Sequence, residues 1–98
     1  MARIIPSWVQ SLGAMLNACE VRARCRSCEA TRPIDVAALA RRVGEDYSLL
    51  HRRCRCRLTP GCNGWNVFDY STGCWWYHLY DDADDIRWDA IDRRRMQH

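Results

Sequence analysis

Seven cysteines stand at positions 19, 25, 28, 54, 56, 62 and 74. Five of them form two clusters: Cys25 with Cys28, and Cys54, Cys56 and Cys62. Two thiols two residues apart, followed by a second thiol cluster, is the spacing of a structural zinc site. Zn2+ asks for four ligands held tetrahedrally, and a C-x2-C turn supplies two of them from one edge. Cys25 and Cys28 are therefore expected as the first pair. For the second pair, Cys56 and Cys62 enclose a Thr59-Pro60-Gly61 turn that can bring them together. Cys54 is the rival to Cys56, although C-x-C on an extended strand chelates one ion only under strain. The expected ligands are Cys25, Cys28, Cys56 and Cys62, with His51 and His78 as possible nitrogen ligands. Cys19 and Cys74 read as packing thiols. Where thiols stay reduced, clustered cysteines mean metal rather than disulfides.

The second chemical signal is charge. All 15 cationic residues are Arg, with no Lys, against 12 acidic residues. Each cation is thus a planar fork suited to phosphate or carboxylate. The net charge of +3 hides an asymmetry. Residues 21–57 hold ten Arg against Glu29, Asp35, Glu45 and Asp46, whereas residues 58–92 hold Arg87 against seven Asp. Arg22, Arg24, Arg26, Arg52, Arg53, Arg55 and Arg57 flank the cysteine clusters and are candidates for contacting phosphates or guanine edges. Trp65, Trp75 and Tyr77 are candidate rings for stacking on unpaired bases. Part of the Arg run could equally offset the negative charge of a four-thiolate centre, since cations favour thiolates.

Two functions compete on these residues. One is a nucleic-acid-binding or transcription-related module working through the Arg-rich half. The other is a protein-interaction adaptor, because exposed aromatics and Arg are common interface anchors. An enzyme is not expected. No Ser/His/Asp order, phosphate loop or HExxH is present, and Asp81, Asp82, Asp84 and Asp85 read as the acidic start of a helix.

The elements that must position these residues follow from periodicity. Trp8, Val9, Leu12, Met15, Leu16 and Cys19 recur at helical spacing, predicting a helix over about residues 8–18 with Ser7 as its cap. Val21 and Ala23 alternate with Arg22 and Arg24 as a strand leading into Cys25. Asp35 caps a second helix through Val36, Leu39, Ala40 and Val43, which Gly44 ends. Tyr47, Leu49 and Leu50 predict a further helical turn ending near Arg53, giving a weak helix-turn-helix outline. Residues 53–57 read as a strand. Residues 64–70 and 74–80 read as an aromatic β-hairpin about Ser71, Thr72 and Gly73. A C-terminal helix is predicted over residues 82–95, with Ile86, Ala90 and Ile91 inward and Trp88 nearly opposite.

The run Cys25-x2-Cys28, Ile34-Asp35-Val36-x2-Leu39-Ala40, Gly44-x-Asp46, Leu50 and Arg53-Cys54-x-Cys56 resembles a group of small bacterial zinc-finger-like (zinc-ribbon-like) proteins. The likeness spans about residues 8–62. It implies zinc and a compact fold but no reaction. The chain departs from that pattern by replacing a second C-x2-C with Cys54, Cys56 and Cys62, and by its longer aromatic, acidic tail from Trp65. The fold class expected is α+β: one zinc-stabilised domain of 98 residues, with short helices between two cysteine knuckles (residues 7–62), then the aromatic hairpin and C-terminal helix (residues 63–98). A chain this short buries only about 60–65 % of its unfolded surface, so a metal staple would add much. No apolar run approaches the roughly 20 residues of a membrane span, and residues 1–8 lack a signal peptide's apolar core. The expected address is the cytoplasm.

Overall fold

The computed structural model describes residues 6–96; most of the N-terminal stretch read as lacking a signal peptide's apolar core, residues 1–5, lies outside them. The chain is α+β. A 3-10 turn (Ser7–Val9) is followed by α1 (Leu12–Met15), β1 (Glu20–Cys25), β2 (Thr31–Pro33), α2 (Val36–Val43), β3 (Cys54–Arg55), β4 (Trp65–Ser71), β5 (Trp76–His78) and α3 (Asp82–Met96). The five strands form one antiparallel sheet in which β4 is central. Along one edge β4 pairs with the whole of β1, from Glu20↔Ser71 to Cys25↔Asn66. Its other edge is shared: β3 takes the start (Cys54↔Asn66, Arg55↔Trp65) and β5 the end (Asp69↔His78, Ser71↔Trp76).

The alternation of β1 sorts the two faces, because successive side chains leave a strand on opposite sides. Val21 and Ala23 are buried beside Tyr70 and Phe68. Val21 and Tyr70 join Val9, Leu12, Met15, Val36, Ala40, Leu49 and Leu79 in the main core, so α1 and α2 cover this face. Arg22 and Arg24 point the other way, toward Asp69. The expected alternation and hairpin are both present, although β5 begins at Trp76 and leaves Cys74 and Trp75 outside the ladder.

Three local expectations need correction. The N-terminal helix is split at Gln10, and Ser11, not Ser7, caps α1 by accepting the Ala14 N–H at 3.2 Å. The helical turn expected over residues 47–53 is absent, so among the described residues α2 alone stands between the knuckles and no helix-turn-helix is present. Backbone groups in and beside this segment are taken elsewhere. Leu12 N–H donates to Tyr47 O (2.8 Å), Gly13 N–H to Glu45 O (2.9 Å), and His51, at φ +62°, donates to Leu79 O. α2 itself is as expected, with Asp35 Oδ1 accepting the Ala38 N–H at 3.0 Å. Third, the inner side of α3 departs from expectation in part: Ile91 is half-buried, but Trp88 is 5 % exposed, whereas Ile86 is 72 % exposed and Ala90 faces solvent. Polar tethers and one aromatic contact dock this helix rather than an apolar stripe. Trp88 packs against Tyr80 at 5.8 Å, Arg53 grips Asp92, and Arg26 pairs with Asp85.

Among the described residues no helix is long and apolar enough to cross a membrane.

Candidate metal centre and its surroundings

Four cysteines from two distant segments meet at one end of the sheet. Cys25 closes β1, and Cys28 follows on a tight turn fixed by Cys25 N–H to Ala30 O (2.9 Å) and Glu29 N–H to Cys25 O (3.1 Å). Cys56 leaves β3 and is anchored by its N–H to Gly64 O (2.9 Å). The turn through Pro60 brings back Cys62, whose N–H donates to Thr59 O (3.1 Å). All four sulfurs lie within 4.8 Å of one another. Cys25 Sγ is 3.7 Å from Cys62 Sγ, and Cys28 Sγ is 3.8 Å from Cys56 Sγ. All seven cysteines are free thiols. Sulfurs placed about 2.3 Å from one tetrahedral ion stand about 3.8 Å apart. The four residues therefore have the spacing to hold a metal ion.

Hydrogen bonds converge on the sulfurs as they do where thiolates are stabilised. Cys25 Sγ accepts the N–H groups of Ser27 (3.3 Å) and Cys28 (3.4 Å). Cys62 Sγ accepts that of Gly64 (3.4 Å), and Cys28 Sγ accepts the Thr59 hydroxyl (3.3 Å). The Cys28 and Ser27 N–H groups outweigh burial and bring the Cys25 thiol down to about 6. Thr59 and the Ala30 N–H lower Cys28. At Cys62 the Gly64 N–H favours the thiolate, but burial and the neighbouring Cys25, Cys28 and Cys56 sulfurs prevail and hold it up at about 11. Crowded sulfurs that cannot all ionise together are what a shared cation resolves. Gly64 completes the cradle by passing directly against the Cys25 knuckle, where a Cβ would lie 2.6 Å from Ser27 Cβ and 2.9 Å from Cys25 Sγ.

Cys54 stands outside the cluster, paired across the sheet from Asn66, and burial raises its thiol. Cys19 and Cys74 are also outside it. Of the two candidate histidines, neither joins the sulfurs: His51 meets Asp84 and His78 meets Asp69 at 2.9 Å. His51, Asp81 and Asp84 do lie within 4.8 Å of each other. Their groups are spent on the fold, because Asp81 and Asp84 exchange backbone N–H bonds at the start of α3 and Asp84 also holds Arg87 at 2.8 Å.

The candidate arginines divide into two sets. Arg22 and Arg24 donate to the fully buried carboxylate of Asp69 at 3.1 and 2.9 Å, and Arg24 also reaches the Tyr80 hydroxyl at 2.9 Å. Arg26 pairs with Asp85, and Arg53 holds Asp92 through two parallel bonds of 3.0 and 3.1 Å. Three of the seven Asp beyond residue 57, Asp69, Asp85 and Asp92, thus fold back as counter-charge to the basic half. Arg52, Arg55 and Arg57 are exposed, and among the described residues no carboxylate lies in ion-pair reach of them. Arg52 donates to Ser48 O and lies 4.4 Å over the Tyr47 ring; Arg55 donates to Asn63 O. Trp65 is half-buried with Arg53 3.9 Å and Arg55 4.0 Å from its centroid. So close an approach is possible only over a face, and two guanidiniums cannot share one, so both faces of the indole are covered. A base stacking on Trp65 would have to displace one of them. Trp75, by contrast, is 71 % exposed.

Sequence reasoning missed the Asp69 network, the sulfur donors Thr59 and Gly64, and Arg87 and Arg95, which line a cleft beside α3. A glycine two residues after Cys62 was the one local signal for the sulfur donors; the others depend on chain segments far apart.

Compared with protein-family models, with curated proteins and with solved structures, the chain gives no match.

Proposed function

We propose that Cys25, Cys28, Cys56 and Cys62 hold one zinc ion and that the chain is a non-enzymatic, zinc-closed module that binds nucleic acid. Four thiolates occupy every position of a tetrahedral ion and leave none for substrate, so the metal's role is structural. Bound zinc would supply a cross-link between the end of β1 and the segment after β3, worth on the order of 10 kcal/mol in a domain of this size. The reading rests on a reducing compartment, hence the cytoplasm.

The observation that carries nucleic-acid binding is the division of the arginines. Arg22, Arg24, Arg26 and Arg53 are committed to Asp, while among the described residues Arg52, Arg55 and Arg57 stay exposed with no carboxylate in ion-pair reach, Asp92 acting on Arg55 only at longer range. Exposed forks held in no direct ion pair are the groups that can release counterions from a phosphate backbone. A second reading, a protein adaptor, is favoured by Trp75, Trp76 and Tyr77, all exposed on the β4–β5 hairpin.

The test has two arms. Native mass and chelator titration should give one zinc per chain, retained in Cys54→Ser and lost in Cys56→Ser; a metal-free chain melting cooperatively at the same temperature would refute the centre. Binding of a short single-stranded oligonucleotide, followed against salt, should weaken in Arg55→Ala and Arg57→Ala. Each should flatten the slope of log affinity against log salt by about 0.7. Loss of neither affinity nor slope, with Trp75→Ala abolishing association with a protein partner, would favour the adaptor.

A further inference from the structure

We propose that the cleft between residues 47–54 and α3 is a subsite for one unstacked nucleotide, with its phosphate on Arg52 and Arg95. This inference rests on the nucleic-acid reading above and names where a strand would be gripped.

The cleft encloses about 390 Å³, within the roughly 300–1,000 Å³ of small-molecule sites. Four guanidiniums line it, from Arg52, Arg53, Arg87 and Arg95, and no carboxylate does. Two of the four are neutralised from behind, Arg53 by Asp92 and Arg87 by Asp84. Arg52 and Arg95 have no ion pair among the described residues. Asp92 also acts on Arg95 at longer range, but four guanidiniums against two carboxylates leave the concavity positive toward one phosphate of a strand. Arg52 is also held in place: its Nε donates to Ser48 O at 2.6 Å and its guanidinium carbon lies 4.4 Å from the Tyr47 ring centroid, which leaves both Nη groups unspent. A fork fixed in this way loses little freedom on binding.

Beneath this rim the lining is apolar, with Leu49, Phe68 and Ile91. A cationic rim above an apolar floor selects a ligand with an anion at one end and a flat ring at the other. A nucleotide has that form, and so does a phosphotyrosine. The surroundings favour the nucleotide, because Arg55 and Arg57 continue the exposed positive charge past Cys54 along the same segment. A following phosphate of the strand needs such a track, whereas a lone phosphotyrosine does not.

The experiment uses the zinc-loaded chain and titration calorimetry with four probes: uridine 5′-monophosphate, inorganic phosphate, phosphotyrosine and a short oligothymidylate. The monophosphate should bind, and Arg52→Gln and Arg95→Gln should each weaken it and the oligonucleotide about tenfold or more. Arg41→Ala, on the exposed side of α2, should change neither. Both cleft arginines are exposed, so unchanged melting of the variants confirms that they fold. Oligonucleotide binding lost in Arg55→Ala but untouched in Arg52→Gln and Arg95→Gln would overturn the subsite and leave the nucleic-acid reading standing. A monophosphate bound as proposed, with no gain for the oligonucleotide, would uphold the cleft and overturn the wider reading. Phosphate or phosphotyrosine binding as tightly as the monophosphate would overturn the assignment of a base.

Discussion

Gly64 and Ser27 are pressed together so closely that a single added carbon at Gly64 would sit 2.6 Å from the Ser27 Cβ. The contact joins the strand after the second cysteine pair to the turn of the first. Gly64 serves the centre three times: its N–H reaches Cys62 Sγ, its carbonyl accepts from Cys56, and its bare Cα makes room for the Cys25 knuckle.

Gly64→Ala is therefore expected to weaken metal binding although it alters no ligand. Changes just outside a ligand shell typically cost about 10–100-fold in affinity. Competition against a chromophoric chelator measures this directly, and an unchanged affinity would show that the knuckle can give way.

Asp69 predicts a specific acid limb. Its carboxylate is fully buried. Burial alone would push its pKa up, but hydrogen bonds from Arg24, His78 and Arg22 hold it below the ordinary carboxylate range. A group whose pKa is lower when folded contributes stability above its unfolded value and loses it as pH falls through the folded one. Asp69→Asn should cost about 3 kcal/mol near neutrality, because two arginines lose their counter-charge. The gap from wild type should persist at about pH 5 and narrow below about 4. A gap independent of pH in urea unfolding would mean that the carboxylate's charge contributes nothing.

Arg53→Lys should loosen α3. Lysine cannot reproduce the two parallel bonds to Asp92, nor lie flat between Trp65 and Trp88, which sit 3.9 and 5.4 Å from the guanidinium carbon. The expected loss is about 1–2 kcal/mol, moderated because Asp92 is partly solvated. Hydrogen exchange should rise in α3 before the sheet. Protection of α3 equal to wild type would place its anchorage elsewhere.

The features legible in the sequence were those encoded locally. The Cys25/Cys28 turn, the Thr59-Pro60-Gly61 return, the alternation of Val21 and Ala23 with arginines, and the Asp35 cap each need only a few neighbouring residues. They account for the cysteine cluster, the sheet and α2. What could not be read depended on partners distant along the chain. Residues 47–53 carry a helical pattern, yet the Glu45 and Tyr47 carbonyls are claimed by α1 and His51 is tied to Leu79. Trp88 looks misplaced on its own helix until Tyr80 and Arg53 are set beside it. The seven Asp after residue 57 read as an acidic half of the chain, yet three of them, Asp69, Asp85 and Asp92, are internal counter-charge for Arg22, Arg24, Arg26 and Arg53.

The central strand also bears on the order of events during synthesis. β1 is complete by residue 25, yet its partner β4 does not begin until residue 65. All four clustered thiols precede that partner on the ribosome. A metal ion captured as soon as Cys62 emerges would already have drawn the end of β1 beside the approach to β4. The pairing that follows would then start from a closed loop, with most of its chain-closure entropy already met. Refolding of the metal-loaded chain should outpace that of the metal-free one, because the slowest search has been done by the ion.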